Sequence, residues 1–454
     1  MSTDNSHLLS NKTSVTSDML YNLKASAGNT TSHRINVPSS NKSIFNCGDV
    51  MIFSVPCSKR NSYLDGQNSY LKFCVQNNDT TNAFNLDHSG YCFINQLTIF
   101  NSGNLVEQIS NYNVLVNTLI DYQFNQSSSL GLSPIIGTSP DIYENVINDD
   151  GTGTAIAAWP TGLGSSVGQV KGSLNSCRRG QYLKKSGGRL SVCLPILSNL
   201  FSLSEKMIPV SRLNSDIELQ FLLENLTQSV AATALTTPWT IISAELVLNY
   251  VVLSDTAEEI VRSVSPIDAP VFIHSSSYRS YPQTLATGST GNQNFLISSR
   301  FNSLKSIFLM SRRSTEINSQ NAYSLSSRIN PNIQQYYWTI GSSIVPNKFV
   351  QLYNVNQNGG YSECFSELLK AYHAYGDLSF GGVLEFSAYN VVDDTNGVPL
   401  ENVLPANTGI NSYKNGFCAA VELECYSTRN DTILGGSTPF HRMCSLTHYT
   451  VAQH

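Results

Sequence analysis

"NSYLDGQNSYLKFCVQNN", residues 61–78, repeats the words Asn-Ser-Tyr-Leu within a few positions, and its second copy opens a clean alternation. Leu71, Phe73 and Val75 fall on one side, and Tyr70, Lys72, Cys74 and Gln76 on the other. A period of two marks a strand with one buried face. Asp65-Gly66 reads as a turn that feeds this strand.

The same plan recurs on both sides of the stretch. "DVMIFSVP" (Asp49–Pro56) precedes it and "CFINQLTIFN" (Cys92–Asn101) follows. "DIELQFLLE" sets Ile217, Leu219, Phe221 and Leu223 against Glu218, Gln220 and Glu224. A strand over 239–253 places Ala244, Leu246, Leu248, Tyr250 and Val252 on one face. One segment differs. In "QISNYNVLVNTLIDYQF" the positions Ile109, Tyr112, Leu115, Leu119 and Tyr122 recur at three and four, the stripe of an amphipathic helix, with Ser110 as its cap.

Composition narrows the class. Charged residues are 13% of the 454, against about 25% in ordinary soluble proteins. Ser, Asn, Thr, Gln and Tyr carry the polar share, which suits strands, turns and wide contact surfaces. The formal charge of −5 lacks the basic field of a nucleic-acid coat. The dense basic run "CRRGQYLKK", Cys177 to Lys185, reads as a solvated loop. No apolar run is long enough to span a membrane, and "MSTDNSHLLSNKTSVTSDML" has neither the basic nor the apolar region of a signal peptide. The ten cysteines show no C-x-x-C spacing, and they read as free thiols of an intracellular product.

Organisation along the chain follows from these elements. Residues 1–40 are rich in Ser, Asn and Thr and read as a flexible arm, with Leu8, Leu9, Met19, Leu20 and Leu23 as its few apolar anchors. A first β-rich unit occupies 41–253, with a long Gly/Ser/Pro-rich loop at about 125–180. Residues 254–268 read as a linker. A second unit, 269–454, replays the order, with strands at about 269–281 and 302–311 and the strand-like "IQQYYWTI". Its helix, "SECFSELLKAYHAY", places Phe365, Leu368, Leu369 and Tyr372 on one face, and "GGVLEFSAYNVV", "GFCAAVELECYS" and "MCSLTHYTV" close the chain. The expected fold class is all-β: two similar β-sandwiches in tandem with short helices in the loops.

Enzyme signatures are poor. "TGLGSSVG", Thr161–Gly168, lacks the flanking strand and helix and the Lys-Ser/Thr of a phosphate loop, and reads as a flexible loop. "NDDGTG" at 148–153 lacks the distal Glu of a calcium loop and reads as a turn. His441 and His448 lie on a terminal strand without matching carboxylates at metal spacing, His373 reads as part of a helix face, and neither G-x-S-x-G nor H-E-x-x-H occurs. No catalytic residue, metal or cofactor is expected.

The segments "NSYLKFCV", "INQLTIFNSGNLVEQISNYNVLVNTLIDY", "LPILSNLFSLSEKMIPVSRLNSDIELQFLLEN" and "ISAELVLNYVVL" together resemble the first half of a double jelly-roll major capsid protein of tailless double-stranded DNA viruses. The resemblance is to the type found in Polinton-like viruses, adintoviruses and virophages. "NIQQYYWTIGSSIVPNKF", the helix at 362–375 and "LTHYTV" resemble that family's second half. The resemblance covers about residues 41–451 and is one of strand order with short motifs.

It implies a pseudo-hexameric homotrimer that tiles an icosahedral shell, with neighbouring trimers, penton proteins and minor capsid proteins as partners. It also implies a fold of two tandem eight-stranded jelly-roll β-sandwiches and location in the virion after assembly inside the host cell, while the N-terminus speaks against secretion and the acidic balance against specific nucleic-acid binding. The competing expectation is a β-sandwich carbohydrate-binding or attachment protein whose loop Tyr and Trp residues stack on sugars. A glycosidase on a β-scaffold ranks third, because no paired carboxylates stand out. A shell-forming trimer separates the first reading from a monomer that binds glycans.

Overall fold

The computed structural model describes residues 30–138, 180–264, 276–298, 304–352, 362–372, 417–423 and 442–451, apart from short gaps. In the first half the strands are β1 (Thr30–Pro38), β2 (Phe45–Asn46), β3 (Val50–Val55), β4 (Ser62–Gln76), β5 (Phe84–Leu86), β6 (Ile94–Asn101) and β7 (Asn104–Ser110). After helices α1 (Tyr112–Gln123) and α2 (Gln126–Ile136) come β8 (Tyr182–Leu183), β9 (Arg189–Pro195), β10 (Ile217–Leu223), β11 (Val230–Ala231) and β12 (Thr240–Leu253).

Eight of these strands build a sandwich. One sheet has the order β1-β12-β4-β9, and the facing sheet the order β3-β10-β6-β7. Counted in chain order, the eight pair as first-eighth-third-sixth and second-seventh-fourth-fifth, so the chain crosses between sheets at nearly every step. This is the jelly-roll order. The longest-range ladder joins Thr30 to Leu253 and Pro38 to Glu245. Between the sheets lie Phe73, Phe93 and Trp239, with Phe93 at 4.7 Å from Trp239 and 6.2 Å from Phe73, both edge-on.

The opening stretch folds differently from its reading. Asp65-Gly66 does not reverse the chain, because Ser62–Gln76 is one strand. Val247 pairs with Tyr70 and Asn249 with Asp65, so Gly66–Ser69 bulge out opposite a single residue of β12. Gly66 is required there: a Cβ would sit 2.4 Å from the Leu200 carbonyl oxygen. Gln67 donates from Nε2 to the Ser204 carbonyl at 2.8 Å, tying the bulge to that loop.

Three further expectations change. Residues 30–38, taken as the end of a flexible arm, form β1, because its register with β12 satisfies the backbone where the side chains offer little apolar area. The linker at 254–268 contains helix α3 (Asp255–Val264). Ser254 Oγ accepts from Ala257 N at 3.3 Å to cap it, and the buried Glu258 accepts from Tyr63 Oη at 2.9 Å. Ile109 lies on β7, opposite Leu97, and not on the helix. Asn111, at φ 52°, turns the strand into α1, and its carbonyl accepts from Leu115 N. Ser110 caps nothing and donates instead to Gln96 Oε1.

In the second half the strands are β13 (Ser276–Leu285), β14 (Ser306–Arg313), β15 (Gln335–Ile340), β16 (Ser343–Gln351), β17 (Ala419–Glu422) and β18 (Arg442–Val451), with helix α4 (Ser362–Ala371) after β16. One sheet has the order β13-β18-β14-β17, and β15 pairs with β16. β18 runs parallel to both neighbours, unlike the antiparallel ladders of the first half. The face of α4 that is buried carries Cys364, Glu367, Leu368 and Ala371, so it is rotated from the expected stripe, which held Leu369. "GGVLEFSAYNVV" lies outside the described residues. The fold is all-β with short helices, and one apolar cluster runs from the first half through Phe308, Met310, Tyr336, Leu368 and Phe417 of the second.

Candidate functional site: the seam between the halves

Helix α1 sits where the two halves meet. Ile109, Tyr112, Leu115 and Leu119 are all buried, as are Val114, Val116, Ile120 and Tyr122. The polar residues of the same helix, Asn113, Asn117, Thr118 and Asp121, are buried as well. A helix covered on every side lies between layers, and its polar groups must find partners inside.

They find them on both sides. Asn113 Nδ2 donates to Glu224 Oε2 at 2.9 Å. Asn117 Oδ1 accepts from Ser89 Oγ at 2.5 Å. Thr118 Oγ1 lies 3.2 Å from Met310 Sδ of β14. Asp121 holds His88 Nε2 at 2.7 Å through one oxygen and accepts from Arg328 NH2 at 2.6 Å through the other. Arg328 also donates from NH1 to Thr118 Oγ1 at 3.2 Å and lies 5.7 Å above the Tyr122 ring. Burial alone would weaken the guanidinium's hold on its proton, but the Asp121 carboxylate outweighs it and holds the pKa above its usual value.

The seam has further ties. Leu325 N donates to Asp87 Oδ2 at 2.9 Å, Ala232 N to the Gln320 carbonyl at 2.8 Å, and Leu235 N to Gln320 Oε1 at 2.7 Å. Glu107, on the inward side of β7, accepts from Ser198 Oγ at 2.6 Å, from Asn199 N at 3.0 Å and from Ser277 Oγ of β13. Burial pushes the Glu107 carboxyl up, against the pull of Ser198, Ser277, Asn199 and the Arg279 charge. Asn111 Nδ2 donates to Ser280 Oγ at 3.0 Å. Tyr122 and Tyr372 stack at 4.9 Å, and Phe308 packs on Tyr372 at the same separation.

This arrangement ties the two halves together through side chains and backbone groups from both. Among the described residues no three His, Cys, Asp or Glu side chains converge to hold a metal, and no helix is long and apolar enough to cross a membrane. Cys47, Cys57, Cys74, Cys92 and Cys193 are thiols outside any disulfide. The anchors Leu8, Leu9, Met19, Leu20 and Leu23, together with "TGLGSSVG", "NDDGTG", His373 and His441, lie outside the described residues. Arg328, Glu107 and His88 escaped sequence reasoning. An Arg in a Ser/Asn-rich stretch, a Glu in a strand and "DHS" carry no periodic signal.

The sequence matches no family model and no curated protein. Solved structures do resemble the chain. A structure of the Sputnik virophage matches over 89% of this chain and 78% of its own, at 12% identity and a TM-score of 0.46. The Faustovirus major capsid protein matches over 54% of this chain and 58% of its own, at 9% identity and a TM-score of 0.34. PBCV-1 VP54 matches over 53% of this chain, at 10% identity and a TM-score of 0.30, and the match spans 46% of its length, about half. It is the order of the eight strands themselves that makes the first half a jelly roll.

Proposed function

We propose that the chain is the major capsid protein of a double-stranded DNA virus, a double jelly roll that self-associates as a homotrimer and tiles an icosahedral shell. Its first unit begins with β1 and spans residues 30–253, and its second is residues 269–454. The observation that carries the reading is a repeat: a hairpin is followed by a helix in both halves, β6–β7 by α1 and β15–β16 by α4, and in the first half this unit belongs to a complete jelly roll. Two similar wedges per chain, three times over, give six wedges about one axis. A threefold object then fits a hexagonal lattice.

The surfaces fit association. Leu105 and Val106, beside the tip of the first hairpin, are 50% and 41% exposed, and Ile340 and Ile344, at the tip of the second, 42% and 41%. Large apolar residues exposed at corresponding places, in a chain with few charges, suit contacts with neighbours. Residues 1–29, with Leu8, Leu9, Met19, Leu20 and Leu23, act as an arm that lies along a neighbouring trimer or a minor capsid protein. The role is structural and not catalytic.

Electron microscopy of the purified protein at rising concentration tests this reading. Closed shells or hexagonal arrays built from threefold units are the expected result. Dispersed monomers that bind glycans would overturn it.

A further inference from the structure

We propose that the buried cluster of Asp121, Arg328 and His88 is an orientation lock that sets the angle between the two halves; the inference rests on the assembly reading above. Arg328 is fully buried and Asp121 is 3% exposed, so both give up hydration. A buried ion pair seldom stabilises a protein more than apolar residues of the same volume would. Here the exchange is poorer still. Arg328 Nε, His88 Nδ1 and Asn117 Nδ2 have no hydrogen-bond partner among the described residues, a cost that apolar packing would avoid.

What the cluster supplies is direction. The aromatic contacts of the seam, Tyr122 on Tyr372 and Tyr372 on Phe308, tolerate sliding and tilting. The Arg328 fork does not, because its two nitrogens reach two acceptors one helical turn apart on α1, Thr118 and Asp121. One contact fixes position along the helix and the pair fixes rotation about it. His88 holds the second Asp121 oxygen from the loop beneath, so the carboxylate itself cannot swing. A shell closes at one size only when the angle between its wedges has one value. Arg328 and Asp121 are therefore positioning residues for assembly.

The test uses the full chain. The triple variant His88→Leu, Asp121→Leu, Arg328→Met removes the polar cluster together and leaves no charge behind. It should melt within a few degrees of the unmodified protein. Hydrogen exchange at the seam amides of Ala232, Leu235 and Leu325 should speed up about tenfold, while the β4–β12 ladder exchanges as before. Its particles should be open or of mixed size. Unchanged seam exchange with uniform shells would overturn the lock.

Should the triple variant lose its cooperative melt, Arg328→Lys decides, since it keeps the charge and loses the fork. Mixed particle sizes and faster seam exchange support the lock, and uniform shells with slow exchange reject it. An unmodified chain that forms no shells sinks the assembly reading instead. The exchange data then judge the lock alone.

Discussion

Helices α1 and α4 follow corresponding hairpins, yet they solve different problems. α4 carries an ordinary two-sided pattern, with Ser362 and Glu363 exposed and Cys364, Leu368 and Ala371 buried. Its Lys370–Glu367 pair, at 2.6 Å, joins a lysine that is a third exposed to a buried glutamate at the edge of that face. Among its described side chains α1 has no exposed face, and its acid, Asp121, pairs with a fully buried Arg328. A helix on the outside of a sandwich needs one apolar stripe. A helix between two bodies must also specify how they meet, and it does so with polar groups whose partners come from both sides.

The contrast predicts unequal responses. Arg328→Ala should lower stability by about 3–5 kcal/mol, because it leaves the Asp121 carboxylate buried without its cation. Lys370→Ala should cost less, about 1–2 kcal/mol, because the partly exposed Lys370 site lets water reach the glutamate it leaves behind. Chemical denaturation of the two variants side by side measures both, and equal losses would erase the distinction. In the next rank, Leu115→Ala should cost about 2–5 kcal/mol by opening a cavity in the seam. Leu369→Ala, at a half-buried position of α4, should cost less than half as much in the same assay.

A third contrast sets the seam against a loop clamp within the first half. Asp79 accepts from the backbone N–H groups of Thr81, Asn82, Thr236 and Thr237. Burial pushes its pKa up, but these donors outweigh burial and hold the carboxyl well below the usual range. Its folded pKa is therefore below its unfolded one. The stability it contributes is present above the unfolded value, near pH 4, and is lost as the pH falls further. Asp79→Ala should cost about 1–3 kcal/mol at neutral pH and flatten the acid side of the stability profile, measured by melting from pH 7 to pH 2. The smallest effect belongs to the outer face of the sheet. Lys72→Ala, breaking the half-exposed pair with Glu245 at 3.4 Å, should shift stability by about 0.5 kcal/mol or less.

What sequence could reveal followed the side chains that alternate. β3, β4, β10 and β12 were legible because each places large apolar residues at every second position, and β6 because Leu97 and Ile99 do so. β7 was not, since its inward positions include Glu107, and a period of three from Ile109 pulled the strand into the helix. β1 was hidden by its Ser, Thr and Asn, and is held by a ladder to residues more than two hundred positions away. The burial of Leu115 and Leu119 follows from their stripe. The seam does not, because a single Arg that reaches a single Asp across the fold leaves no local pattern.

The proposed function depends on the chain associating with itself. Sedimentation equilibrium of the purified full-length protein, over a hundredfold range of concentration, measures that most directly. The expected result is a stable species of about 150 kDa, three chains of 49.7 kDa each, persisting as the protein is diluted and giving way to larger assemblies as it is concentrated. A single species at the mass of one chain across the whole range would contradict it.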